Sequence, residues 1–446
     1  MDPESIYGLA DSGHIRLARF LFTDSANIIR AKAASASTWK MRFAAGIGLV
    51  KGTMAMNMMD ELQADTGYGA TGEIRLVPDL STFKVVPYAP ATAVVLCDMV
   101  DLDHSPWALC PRSILKRQLD IYKEVGIRFE AAFEPEFFLA RKEGDRLIPI
   151  DESNCFSTDG MNKAANFIDD FVQALQGQDI SVEQYYAELG HGQHELSIRH
   201  APALQAADNH ILYRETLRGV ANQHNLIASL APKPGVEMPG NGCHLHLSAW
   251  DTDTNTNLFW SDNGLSDLGK FFVAGVLRHL PAIVAVTCPS VNSYRRLKPK
   301  SWSSAFTCWG YENREAAVRV PSLYWDHELE SANIEVKCID SSANPYLALA
   351  VLIAAGMDGV KKKMNPPEPV QADPSTISST EAAEKKVERL PISLKDATKK
   401  LLMDATIMEA LGDEFARVYL KVKSSEDAYF AKLTPEDEIK AHLTKF

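Results

Sequence analysis

In four short segments of this chain, polar side chains fall at every second position. Between Phe129 and Leu139, Glu134 and Glu136 share one parity, and Phe129, Phe133, Phe137 and Leu139 share the other. Between Gln193 and Arg199, Glu195 keeps step with Ser197 and Arg199, while Leu196 and Ile198 alternate with them. His244, His246 and Ser248 alternate with Cys243, Leu245 and Leu247; Glu335 and Lys337 alternate with Ile334, Val336 and Cys338. Successive side chains on a strand point to opposite faces, so each segment is predicted to be a strand with an apolar back and a charged front. One such strand alone reads as a solvated sheet face. Four of them, carrying four Glu and two His, read as the wall of a cup. Glu and Lys are poor strand formers, so their placement needs a reason. Oxygen and imidazole ligands of this kind suit hard divalent cations such as Mg²⁺ or Mn²⁺.

The rest of the pattern is coarser. Residues 14–24 and 28–34 read as two strands joined by a short turn, and 84–98 is strand-like. The stretch 35–70, rich in Met, Ala and Gly, has no clear period. Pro111 opens a helix that runs through Val125, with Gly126 just past its end. A domain boundary is placed near residue 105, giving segments 1–105 and 106–446. Further helices are predicted over 159–175, 203–229, 264–287 and 343–362, the last opened by Asn344-Pro345. Residues 363–392 read as a surface loop, and the remainder as charged helix. The longest apolar run, Tyr346 to Met357, falls short of the roughly 20 residues that a membrane span needs, and reads as a buried helix. Lys361, Lys362 and Lys363 read as its solvated end.

Composition narrows the classes. With 446 residues the chain can bury a substantial core, and its formal charge of −12 argues against a general nucleic-acid binder. Nucleotides stay possible, because local basic groups can hold phosphates. The seven cysteines are scattered singly, which reads as free thiols in a reducing cytoplasm. The start, Met-Asp-Pro-Glu-Ser, lacks the apolar core of a secretory signal. A cytoplasmic protein without a membrane or nucleic-acid partner is expected.

At the charged strands the chain resembles the glutamine synthetase family in its bacterial dodecameric form. The carrying segments are Glu-Pro-Glu-Phe-Phe-Leu (134–139), Glu-Leu-Gly-His-Gly-Gln-His-Glu (188–195), Gly-Asn-Gly-Cys-His-Leu-His-Leu-Ser (240–248), Asn-Ser-Tyr-Arg-Arg-Leu (292–297), Asn-Arg-Glu-Ala-Ala-Val-Arg-Val-Pro (313–321), Ile-Glu-Val-Lys (334–337) and Asn-Pro-Tyr-Leu-Ala (344–348). The resemblance implies an α+β fold: a small N-terminal β-grasp-like domain and a larger catalytic domain built on an antiparallel sheet flanked by helices. It implies ATP and two or more divalent cations, Mg²⁺ or Mn²⁺. Glu136, Glu188 and Glu195 would hold the cation nearer the glutamate, and Glu134, His244 and Glu335 the one nearer the ATP phosphates. Arg314 and Arg319 match phosphate-contacting arginines, and Arg296 the residue that binds the substrate carboxylate. Gly240 matches the backbone beside the amino acid, His246 the histidine near the γ-phosphate, and Ser248 a nucleotide contact. The sequence leaves two roles open: Arg319 as a structural ion-pair partner, and His246 as an orienting group. Tyr294 and Trp309 read as packing residues. The resemblance also implies a homo-oligomer with sites between subunits, a hexameric ring or a dodecamer.

The departures carry as much meaning. In the family, a flap after the Asn-Ser-Tyr-x-Arg-Leu segment bears a glutamate that takes a proton from ammonium. Counting from Leu297 puts Trp302 there, and an indole cannot act as a general base. The family's Asp-Gly-Ser-Ser segment, source of an ammonium-site aspartate, is missing; the stretch is Gly52 to Met58. The family arginine two residues past the last metal glutamate is Lys337, which keeps the charge and loses the bidentate fork. The adenylylated tyrosine of some members is replaced by Glu388. The ATP and metal half is kept, while the anionic pocket for ammonium gives way to Trp and Met. Within the family this is similar to ligases that join glutamate to amines, anilines or polyamines. The expectation is a γ-glutamyl-amine ligase, with glutamate, ATP and an amine as substrates. A true glutamine synthetase using ammonium, or a non-catalytic ring protein, are the alternatives.

Overall fold

Why the chain folds around one charged face follows from two sheets and what covers them. A computed structural model describes residues 2–144, 146–261 and 264–446. The first sheet holds β1 (Leu17–Thr23), β2 (Ile29–Ser35), β3 (Ile47–Val50), β4 (Glu73–Pro78), β5 (Lys84–Val85) and β6 (Thr92–Val100), in the order β2-β1-β6-β4-β3 with β5 against β6. β1 pairs β6 in parallel and β2 antiparallel. The second sheet is ten-stranded. It is built from β7 (Ile127–Glu143), β8 (Arg146–Pro149), β9 (Val182–Ala187), β10 (Gln193–Ile198), β11 (Ala201–Pro202), β12 (Ile227–Ser229) and β13 (Cys243–Asp251). A two-strand ribbon, β14 (Trp260–Ser261) and β15 (Gly264–Leu265), stands apart, and β16 (Trp309–Tyr311), β17 (Val318–Val320) and β18 (Ile334–Val336) complete the second sheet. Its order is β16-β17-β18-β13-β7-β10-β9, antiparallel except for β16 with β17. The α+β class expected from the sequence is what the chain adopts.

The back of the large sheet is apolar, as the alternation requires. Phe133 stacks on His210 of the helix Ala203–Gln223, with ring centroids 4.7 Å apart. Phe137 meets Phe167 and Phe171 edge-on; both belong to the helix Thr158–Gln176, capped by Ser157. The helix Pro345–Lys362 is capped by the Asn344 side chain, opens on Pro345, and is buried along nearly its whole length. Truncating Phe133 to alanine is expected to cost about 3–5 kcal/mol, read as an earlier urea midpoint, because it empties space between sheet and helix.

Several elements differ from the sequence reading. The helix expected over 203–229 stops at Gln223, Asn225 turns left-handed (φ 56°), and Ile227–Ser229 joins the sheet against β7. A three-residue apolar strand has no period of its own, so the helical pattern ran over it. The helix expected from 264 starts at Asp267, capped by Ser266, since Gly264–Leu265 pairs with β14. The strand-like run 84–98 splits into β5 and β6 around a turn. The unplaced stretch 35–70 holds the helix Trp39–Ala45, β3 and a 3-10 turn, Lys51–Ala55. The loop 363–392 contains the short helix Ser379–Glu384 and is tied down where Trp309 donates to the Pro367 carbonyl at 2.7 Å. Trp309 and Tyr294 are buried, and all seven cysteines are free thiols. The helix Asp267–Thr287 is long and apolar enough to cross a membrane, yet 78% of its apolar window is buried inside the protein.

Candidate active site

Register places the charged residues side by side. Glu195 of β10 pairs Glu136 of β7, His244 of β13 pairs Glu134, and His246 pairs Glu335 of β18, which pairs Arg319 of β17. Glu188 sits one residue past β9, its N–H donating to the Gln193 carbonyl at 2.8 Å. Five carboxylates, two imidazoles, Arg319 and Lys337 thus converge on one face. Arg199, which shares the parity of Glu195, lies past a bulge at the strand end, exposed beside Glu183.

The glutamate-rich half is short of positive charge. Burial, with Glu188 beside it, pushes the Glu136 carboxyl up to about 7. Burial and the neighbouring Glu134 and Glu136 hold Glu195 well above the ordinary carboxylate range, and burial raises Glu188. Hydrogen bonds soften this only in part. Gln193 Nε2 donates to Glu136 at 2.7 Å and to the Gly240 carbonyl at 3.0 Å. The Tyr186 hydroxyl donates to Glu195. Buried carboxylates crowded together are costly unless a cation compensates them, so this donor set fits a divalent metal.

The other half is compensated from within. Glu134, His246 and Glu335 form a tight cluster whose candidate ligand atoms lie within 4.8 Å of one another. His246 Nε2 is 3.2 Å from Glu134 Oε2, and its Nδ1 is 2.8 Å from Asn333 Oδ1. Burial disfavours the imidazolium, but Glu134 outweighs it and lifts His246 to about 9. His244, which the resemblance puts in the ligand set, borders this cluster: its ring is 3.2 Å from Lys337 Nζ and 3.3 Å from Glu335 Oε1. Burial and Lys337 push His244 well below its ordinary value. By distance alone, the histidine that joins Glu134 and Glu335 in a cluster able to hold an ion is His246. Burial opposes ionisation of Glu335, yet Lys337, His246 and Arg319 hold its carboxyl low; Arg319 Nε is 2.8 Å away.

Arg296 is fixed by donating to the carbonyls of Ile339 (3.0 Å) and Lys337 (3.2 Å). A Cβ at Gly242 would meet Arg296 at 2.8 Å, Glu136 at 2.9 Å and His244 at 3.1 Å, so the missing side chain is what lets these three groups close around one point. At Gly240 a Cβ would meet Arg296 Cγ at 2.7 Å. Ser248 is buried and accepts from Trp250 Nε1 at 2.9 Å. Arg314 is exposed on the turn between β16 and β17. Trp302 is 60% exposed on the loop after Arg296. Met54 and Met58, by contrast, are 0% and 2% exposed: they pack into the core of their own chain and offer no apolar surface to an amine. Sequence reasoning left Gln193, Tyr186 and Asn333 without roles. Gln193 shares the parity of Glu195, which is the signal that could have found it.

The chain matches the family model for the glutamine synthetase catalytic domain over residues 108–442, and that for the glutamine synthetase N-terminal domain over residues 4–107. It is 34% identical over 436 residues to a gamma-glutamylpolyamine synthetase, GlnA3, of Streptomyces coelicolor, covering 95% of this chain and 92% of the relative. It is 35% identical over 365 residues to a glutamine synthetase of Methanocaldococcus jannaschii, covering 79% of each. Among solved structures it superposes on a novel glutamine synthase homolog with a TM-score of 0.86 at 32% identity, covering 97% of this chain and 99% of the other. It also superposes on a GmaS/ADP complex with a TM-score of 0.84 at 28% identity, covering 97% of each.

Proposed function

The chain belongs to the glutamine synthetase family of ATP-dependent ligases, and on that premise we propose that it joins the γ-carboxyl of glutamate to an amine larger and less polar than ammonium. The observation that carries this reading is Trp302: its indole is 60% exposed on the loop after Arg296, at the position that counting from Leu297 matches to the family's flap glutamate. An indole face stacks on an aryl ring or sits against an alkylammonium. The name of the Streptomyces relative supports a polyamine-type substrate.

Family members use ATP and divalent metals. Bound cations, Mg²⁺ or Mn²⁺ in this proposal, would neutralise phosphate charge. Glu136, Glu188 and Glu195 would hold one, and Glu134, Glu335 and His244 another. Arg314 and Arg319 contribute fixed positive charge toward the phosphates, and Arg296 holds the glutamate carboxylate. Phosphoryl transfer needs mainly positioning and charge stabilisation. The glutamate γ-carboxylate attacks the γ-phosphorus of ATP, giving γ-glutamyl phosphate and ADP; the amine then attacks the acyl carbon and expels phosphate. The assembly proposed with this is a ring of copies of the chain, hexameric or doubled.

Trp302→Glu tests the reading. It is expected to raise kcat/KM for ammonium relative to larger amines, measured by ADP release with glutamate and ATP. An unchanged ratio removes Trp302 from the amine site.

A further inference from the structure

An alkylamine arrives protonated at neutral pH, and the loop bearing Trp302 offers no carboxylate to take its proton. Glu315 lies directly against that loop. It sits in the turn between β16 and β17, its own N–H held by Asn313 Oδ1 at 3.0 Å. Its side chain is 8% exposed. Oε1 accepts the N–H of Trp302 at 2.8 Å, which leaves Oε2 as the second acceptor of the carboxylate. On the far side of Trp302, Ser304 Oγ donates to the Ala316 carbonyl at 2.8 Å. Lys300, Trp302 and Ser304 all have left-handed backbones, with φ of 59°, 51° and 63°. Non-glycine residues keep that conformation only where surrounding contacts over-determine it, and Glu315 is one of those contacts. The charged groups around it are Lys337, Asp373 and its neighbour Arg314. Burial raises its carboxyl, Asp373 adds to that, and the Trp302 N–H and Lys337 oppose it.

We propose that Glu315 is the general base of the amine site, spanning the amine loop and the turn that carries Arg314. This rests on the ligase reading above. Oε2 takes one proton from the alkylammonium. The freed nitrogen lone pair attacks the γ-acyl carbon, and the C–N bond forms. The C–O bond to phosphate breaks with its electron pair, and the second amine proton leaves with the phosphate. Glu315 then returns its proton to solvent.

Glu315→Gln separates base from latch, because the amide oxygen can still accept the Trp302 N–H. The expected result is a loss of about a hundredfold or more in kcat/KM for an alkylamine. Hydroxylamine, neutral at neutral pH, needs no base, so its γ-glutamyl hydroxamate formation should stay within about threefold of wild type. Equal losses with both nucleophiles, or no loss with the alkylamine, overturn the proposal. If the Gln variant does not fold, Glu315→Asp serves: a selective loss with the alkylamine supports the base, and a matched loss overturns it. If the wild type prefers ammonium to every amine, the ligase reading falls by itself. The same comparison, run with ammonium against hydroxylamine, then decides Glu315 independently.

Discussion

Replacing Glu136 with alanine is expected to abolish glutamate-dependent ADP release while leaving the fold intact. Glu136 faces Glu195 across β7 and β10 and touches the space at Gly242 shared with Arg296 and His244. It contributes no apolar surface to the core, and burial with Glu188 beside it already disfavours its charged form. Removing it therefore takes away a proposed metal donor and little stability. A metal site contributes several kcal/mol to the transition state; about 4 kcal/mol is about a thousandfold in rate. Chelation should lower the melting temperature of the wild type more than that of the variant, since only the wild type has the full donor set to be stabilised by mass action. Near-wild-type ADP release at low metal would take Glu136 out of the ligand set.

Arg296→Ala is expected to raise the KM for glutamate steeply and leave ATP binding nearly unchanged. The guanidinium is locked by two backbone carbonyls, so its remaining N–H groups are aimed in advance at the space beside Gly240 and Gly242. A charge-assisted bond of about 1.5–3 kcal/mol corresponds to a loss of roughly tenfold to 150-fold. Calorimetry that finds equal losses for glutamate and ATP would move Arg296 to the nucleotide side.

The strand faces were legible because a period of two leaves little freedom: once Phe133 and Leu245 point inward, Glu134 and His246 must point outward. Parity could not say which histidine lies nearer which carboxylate. That depends on side-chain direction and on Lys337, whose ammonium reaches His244 and Glu335. Gln193 escaped because it is neither charged nor a usual ligand, although it holds Glu136 and Gly240 together. Glu315 escaped because it sits in a turn, where alternation carries no signal. The Met54 to Met58 stretch was legible as a lost ammonium motif, but its burial depends on tertiary packing: the Met58 N–H donates to Glu426, more than 360 positions away in sequence.

Steady-state kcat/KM of the wild type for ammonium against a panel of alkylamines, polyamines and anilines, with glutamate, ATP and Mg²⁺ or Mn²⁺, decides between an amine ligase and a glutamine synthetase. At least one amine should exceed ammonium clearly, with a γ-glutamyl amide as product. Ammonium used better than every amine tested would contradict the ligase reading and leave glutamine synthesis in its place.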